Sequence, residues 1–219
     1  MIVFKKKFSS ICSPSIDELP ISFCLNCTGL QFALSDIELW NSFVAGDKEA
    51  FSTLFRRFYP LLFQYGSKIV SNEVIVEDAI QELFTEIWQK PTQQPLQSVK
   101  AYLLQALKFK LYKTFRDQKR TTTEDEAENY TFELSQETLH IAREESDEQR
   151  KKIDAALAQL SPRQKEVIYL KIYKGLSYEE VSEIMGINYQ VVRNLLCTAL
   201  KAFKKLCSLL AIILLSSTY

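Results

Sequence analysis

The stretch "SYEEVSEIMGINYQVVRNLL", residues 177–196, decides the fold. Ser177 and Glu180 have the spacing of a capping box, the reciprocal arrangement that opens a helix. Gly186 supplies a tight turn, and Asn188 is the expected N-cap of a second helix over 189–205. That second helix turns inward a stripe of Val192, Leu195 or Leu196, and Ala199, and turns outward Tyr189, Gln190, Arg193, Asn194 and Lys201. Two short helices about a glycine turn present a reading helix to a DNA major groove, although plain bundles also contain such pairs. Gln and Asn side chains can bond adenine edges, and Arg can bond guanine edges or phosphate.

The rest of the chain is also patterned as helices. Immediately upstream, "RKKIDAALAQL" (150–160) precedes "SPRQKEVIYLKIYKG", where Ser161 is placed to cap, Pro162 sits at the first helical position and Gly175 stops the helix. Near the start, Ser35 and Glu38 form a second capping-box pair, and Asp47 can cap the next helix after Gly46. Pro60 should kink or divide that helix. In "VEDAIQELFTEIWQK" (76–90), Ile80, Leu83, Phe84 and Ile87 form a core stripe opposite Asp78, Gln81, Glu82, Thr85 and Glu86. Two prolines in 90–98 interrupt the helices. Residues 98–120 then form a basic helix, with seven Lys/Arg against one Asp. Leu104, Leu107, Leu111 and Phe115 are its expected buried stripe, while Phe109, Lys113, Arg116 and Arg120 recur on another side. Lysines that track phosphates, with Tyr102, Phe109, Tyr112 and Phe115 among them to stack on bases, suit single-stranded nucleic acid. The same rings also suit a core.

Charge explains the domain plan. The totals cancel, 27 Lys+Arg against 27 Asp+Glu, yet affinity for nucleic acid comes mostly from neutralised phosphates. The zero is an average. Residues 121–150 hold ten Asp/Glu and two Arg with few apolar residues, the composition of a flexible or partly helical linker between two basic modules. The expectation is an all-α protein of two small helical domains joined by that acidic linker, the second a helix-turn-helix. Its parts are an irregular extension at 1–34, a helical domain at 35–120, the linker at 121–149, the second domain at 150–206 and an apolar tail at 207–219. The apolar run from Leu206 to Leu215 would span only about 15 Å as a helix, half a bilayer core, so no membrane insertion is expected; the tail is expected to be a last helix packed on the second module or on a partner.

Enzyme signals are few. The five glycines lie too far apart for a phosphate-cradling loop, and His140 is the only histidine. Cys24 and Cys27 make one C-x-x-C with no second pair or histidine beside it, so no metal and no cofactor is expected. Five scattered cysteines suit a reducing, cytoplasmic setting.

Taken in order, "GDKEAFSTLFRRFYP" (46–60), "EDAIQELFTEIW" (77–88) and "LSPRQKEVIYLKIYKGLSYEEVSEIMGINYQVVRNLL" (160–196) resemble the sigma-70 family of bacterial transcription initiation factors. The likeness runs over about 36–205 and is nearest the extracytoplasmic-function group. The "GINYQVVRNLL" segment is similar to the iron-uptake-type branch common in Bacteroidetes. The resemblance implies that Asp78, Gln81, Glu82 and Trp88 bind core RNA polymerase. It implies that segment 90–98 accepts a flipped base, and that Lys100, Lys108, Phe109, Lys113, Arg116 and Arg120 serve the melted minus-ten strand. Tyr189, Gln190, Arg193, Asn194 and Lys201 would enter the groove at the minus-thirty-five element. It also implies an anti-sigma factor as a partner, no small-molecule substrate and no catalytic activity. The chain departs from many relatives at Phe109, where they carry Asn, and at Thr198, where they carry a cation. A stand-alone helix-turn-helix repressor is one alternative. A sigma-like protein that titrates partners without promoter activity is the other.

Overall fold

The computed structural model describes residues 34–92, 94–119, 131–134 and 155–216, with side chains omitted for 115–119 and 203–216. The described residues are helical apart from turns and irregular connections. Residues 1–33 of the N-terminal extension, with the Cys24–Cys27 pair, and His140 lie outside them.

Four helices build the first module: α1 (Asp36–Val44), α2 (Lys48–Ile69), α3 (Glu73–Gln89) and α4 (Val99–Lys119). Each start follows from a local donor–acceptor match. The Ser35 N–H donates to Glu38 Oε2 at 2.8 Å and the Glu38 N–H donates to Ser35 Oγ at 3.3 Å, closing the expected box. Asp47 Oδ1 accepts from the Glu49 and Ala50 N–H groups, and Asn72 Oδ1 accepts from Val74 N–H. The expected stripe of α3 is buried throughout, as are Leu104, Leu107 and Leu111 of α4; the side chain of Phe115 lies outside the described set.

Two details of α2 matter. The helix is not divided at Pro60 but runs on to Ile69. Pro60 is exposed, so water can satisfy the carbonyl one turn earlier that loses its partner. Gly66 faces α3 so closely that a Cβ there would lie 2.6 Å from Val76 Cγ1. The glycine is what lets α3 pack at this distance.

The second module opens with a helical turn at 155–158. It continues with α5 (Pro162–Ile168), which widens into a π-helical turn at Tyr169–Tyr173, then α6 (Tyr178–Met185) and α7 (Tyr189–Ser216). Ser161 and Ser177 both head capping boxes, as their sequence spacing requires. Gly186 has φ +62°, the left-handed conformation that ends α6, and Ser182 Oγ donates to Ile187 O at 2.5 Å across the turn. Asn188 Oδ1 accepts from the Gln190 N–H at 2.8 Å, so it caps α7. Of the two leucines left open at sequence level, Leu196 is buried and Leu195 is half-buried. The helix does not stop near 205. With no glycine or proline from 189 to 216, the apolar run continues α7 instead of forming a separate helix. Among the described residues no helix is long and apolar enough to cross a membrane.

The two modules touch, α6 lying on α4. Of the acidic connection, the structure describes Thr131–Leu134, where Phe132 and Leu134 are buried and Thr131 and Glu133 are exposed. Phe132 is 2% exposed and Leu134 is buried, while the Glu133 N–H donates to Lys68 O at 2.8 Å.

Replacing Gly66 with Ala should push α3 off α2 and destabilise the first module by about 1–3 kcal/mol, the cost of overpacking. Thermal melting of the full chain, followed by circular dichroism, checks this; an unchanged midpoint would show that Val76 yields freely.

Candidate nucleic-acid interface

The outward face of α7 is built as its sequence implies. Tyr189, Gln190, Arg193, Asn194 and Lys201 are all exposed, with Val192, Leu196 and Ala199 holding the helix down from behind. Gln190 Nε2 donates to Asn194 Oδ1 at 3.3 Å, which aligns two amides on one face. The Arg193 guanidinium lies 5.9 Å from the Tyr189 ring, and that ring stands edge-on to Tyr178 at 5.4 Å. Thr198 does not project a donor outward, because its hydroxyl donates to Asn194 O at 2.8 Å.

The acidic face of α3 also stands in water. Asp78 and Glu82 are exposed and Gln81 is half-buried. Lys110 of α4 leans over this face, 2.6 Å from Glu86 Oε1 and 3.7 Å from Glu82 Oε2. Trp88 differs from its neighbours in kind. It packs against Phe51 at 4.8 Å and Phe43 at 6.2 Å, so its ring belongs mainly to the core.

Helix α4 divides its candidates between two faces. Phe109, 64% exposed, and Lys113 point to solvent. Lys100 and Lys108 instead face the second module. Lys108 Nζ donates to Glu166 Oε1 at 2.9 Å and to Oε2 at 3.1 Å. Glu166 is 0% exposed, and its Oε1 also accepts from the Tyr65 hydroxyl at 2.5 Å. Arg116 lies on α4 with its side chain outside the described set, and Arg120 lies outside the described residues.

Around this pair runs a polar seam absent from the sequence expectations. Ser98 Oγ donates to Glu180 Oε1 at 2.6 Å, Gln105 Nε2 donates to Glu183 O at 2.6 Å, and Lys174 Nζ donates to Gln64 Oε1 at 2.6 Å. Burial lowers the Lys174 ammonium from its ordinary range, and the neighbouring Lys100 and Lys68 push the same way. Burial raises Glu180, but hydrogen bonds from Ser98 and from Ser177, with Lys100 nearby, outweigh it and hold the carboxyl below its ordinary range. Burial, then Glu180, raises Glu183. Aromatic packing closes the seam: Phe132 lies 6.0 Å from Tyr65 and 5.6 Å from Tyr169, and Tyr65 stacks on Tyr169 at 6.3 Å. Tyr169 opens the π-helical turn, its carbonyl accepting from the Lys174 N–H at 2.9 Å, five residues on.

Comparison with known proteins identifies the two modules. The Sigma-70 region 2 model matches residues 54–121 and the Sigma-70, region 4 model matches residues 150–203, together more than half of the chain. The chain belongs to the sigma-70 family. No curated protein matches it. The fold is similar to that of CnrH, solved in complex with the cytosolic domain of CnrY, at 21% identity and TM-score 0.51, covering 81% of this chain and 97% of that one. It is also similar to the sigma factor RpoE of Bartonella quintana, solved with the anti-sigma factor NepR, at 23% identity and TM-score 0.51, covering 72% and 96%.

Because the Glu180 carboxyl is held below its ordinary range, it stabilises the fold at pH above that range, and the contribution is lost as pH falls through its lowered folded value. Urea unfolding from about pH 6 to about pH 3 should therefore show wild type losing more stability than Glu180→Gln. Parallel losses in the two proteins would contradict the assignment.

Proposed function

We propose that this chain is an RNA polymerase sigma factor of the extracytoplasmic-function type, which binds core polymerase and directs transcription initiation at specific promoters. The observation that carries this is the match of both sigma-70 regions in order, on two modules that each present a suitable face to water. On α3, exposed Asp78 and Glu82 with the half-buried Gln81 offer carboxylates and an amide to a basic partner, which gives orientation and fast encounter more than raw affinity. Trp88 supports that face from beneath.

The division of labour follows from the chemistry of each helix. The α4 face carrying Phe109 and Lys113 offers a ring to a splayed base and a cation to its phosphate. Lys100, Lys108, Arg116 and Arg120 would extend that track. Residues 90–98 would receive a flipped base. Tyr189, Gln190, Arg193, Asn194 and Lys201 of α7 would read duplex in the major groove. Strand opening would then draw on base capture and not on nucleotide hydrolysis, so no catalytic residue or cofactor is assigned. Domain limits of 35–120 and 150–206, joined by 121–149, suit these roles, in the cytoplasm with the polymerase. A neutral chain suffices because core polymerase supplies most phosphate contacts and spaces the modules. RpoE was solved with an anti-sigma factor, and a partner of that kind is proposed here. Phe109, where many relatives carry Asn, and the inward-bonded Thr198 favour one second reading: a sigma-like protein that titrates partners without promoter activity.

Affinity capture with core RNA polymerase tests the proposal without knowledge of the promoter. Wild type should be retained, and Glu82→Lys should be lost with its helical content unchanged, because an exposed carboxylate contributes about 1 kcal/mol or less to the fold. Failure of folded wild type to bind core would overturn the assignment. Transcription from genomic fragments then separates an active factor from a titrating one.

A further inference from the structure

The outward face of α7 is braced by side chains that do not belong to it. Lys171, in the π-helical turn, sets its ammonium 4.4 Å from the centre of the Tyr178 ring and donates to Leu176 O at 2.8 Å. Tyr178 opens α6 and stands edge-on to Tyr189, the first residue of α7, with ring centres 5.4 Å apart and planes at 61°. The Arg193 guanidinium lies 5.9 Å from the centre of that same Tyr189 ring. The four side chains form one line of contacts, cation to ring to ring to cation, from the π-helical turn to the exposed face. Each contact is attractive: a cation is drawn to the electron-rich face of a ring, and two rings favour the edge-on arrangement.

Exposure along this line is graded. Lys171 and Tyr178 are half-buried, while Tyr189 and Arg193 are exposed. The first two are placed to hold and the last two to touch. Arg193 can meet DNA in two ways. A phosphate asks only for a cation within reach, and a loose side chain serves. A guanine edge asks for two parallel N–H donors at set positions, which a loose guanidinium must be ordered to supply. Contact with a ring restrains the guanidinium and leaves its in-plane donors free. Beside it, Gln190 Nε2 donates to Asn194 Oδ1, so the neighbouring amides are also set before any DNA arrives.

We propose that Tyr178 and Lys171 are positioning residues for promoter reading: through the Tyr189 ring they aim the Arg193 guanidinium at a guanine edge in the major groove. The proposal rests on the reading of α7 as the helix that enters the duplex. Part of the side-chain freedom that Arg193 would surrender on binding is surrendered when the chain folds, so docking on the correct base costs less ordering. A wrong base draws no benefit from the same restraint, because its edge does not accept two parallel donors. The line of contacts therefore acts on discrimination at one base pair more than on affinity for duplex in general. Tyr178 and Lys171 act without touching the base.

Selection of duplexes from a randomised pool by core polymerase carrying the full chain reads base preference position by position. Arg193→Ala marks the pair that Arg193 reads, as the one whose preference is lost, and wild type should prefer guanine there. Tyr178→Leu keeps apolar bulk but removes the ring, and it should weaken that preference by about threefold with the other positions unchanged. Lys171→Met should weaken it less, and Tyr178→Phe should retain it. Magnetic resonance relaxation of the free chain supplies a readout that needs no promoter: the Arg193 Nε–H should become more mobile in Tyr178→Leu and not in Tyr178→Phe. Unchanged mobility in Tyr178→Leu, or a uniform loss of affinity with every preference intact, would overturn the positioning role. A wild-type polymerase that selects no duplex would bring down the promoter reading itself, whereas wild-type selection with preferences untouched in Tyr178→Leu would bring down the positioning alone.

Discussion

A carboxylate removed from water must find donors inside the protein, and the junction of the two modules is organised by that need at Glu166. Solvating this one group by protein calls for Lys108 of α4 and Tyr65 of α2 at hydrogen-bond distance. Those partners fix the approach of α5, and Tyr169, where the π-helical turn begins, stacks on Tyr65. The rings leave a slot that Phe132 fills, which in turn fixes where the acidic connection crosses the seam. Around the pair, Ser98, Gln105 and Lys174 add hydrogen bonds whose partners are all polar. An interface of this composition resembles a transient contact between domains more than a core.

The same geometry accounts for a neutral chain that acts on a polyanion. Basic residues are concentrated on α4 and α7 and acidic ones on α3 and the connection. The charges of α4 are then managed pairwise. Lys110 is held over Glu86 and Glu82, Lys108 by Glu166, and Lys113 is left in water beside Phe109. Internal anions thus hold several of the cations that a nucleic acid would use.

Much of this was legible in the sequence because it rests on local rules. Capping boxes at Ser35, Ser161 and Ser177, the turn at Gly186 and the apolar stripes of α3 and α4 depend on neighbours within one or two turns. The outward face of α7 followed from its stripe. What was not legible depends on residues far apart in the chain. Glu166 stands 58 positions from Lys108 and 101 from Tyr65, and nothing local separates it from a solvated surface acid. Its one hint is its place among Val167, Ile168, Tyr169 and Leu170, all buried. Phe132 and Leu134 were masked by the acidic composition around them, although their alternation is strand-like. The packing of Trp88 against Phe43 and Phe51 is likewise between residues far apart in the chain. The length of α7 was underestimated because an apolar tail was separated from a helix that has no breaker.

The most direct test of the whole account is the distance between the modules with and without core RNA polymerase. Spin labels at exposed Val74 of α3 and exposed Glu179 of α6 would report it by pulsed electron resonance. The account predicts one short, narrow distance in the free chain and a long one once the polymerase spreads the modules to promoter spacing. A broad, long distribution in the free chain, or a short distance that persists on the polymerase, would contradict it.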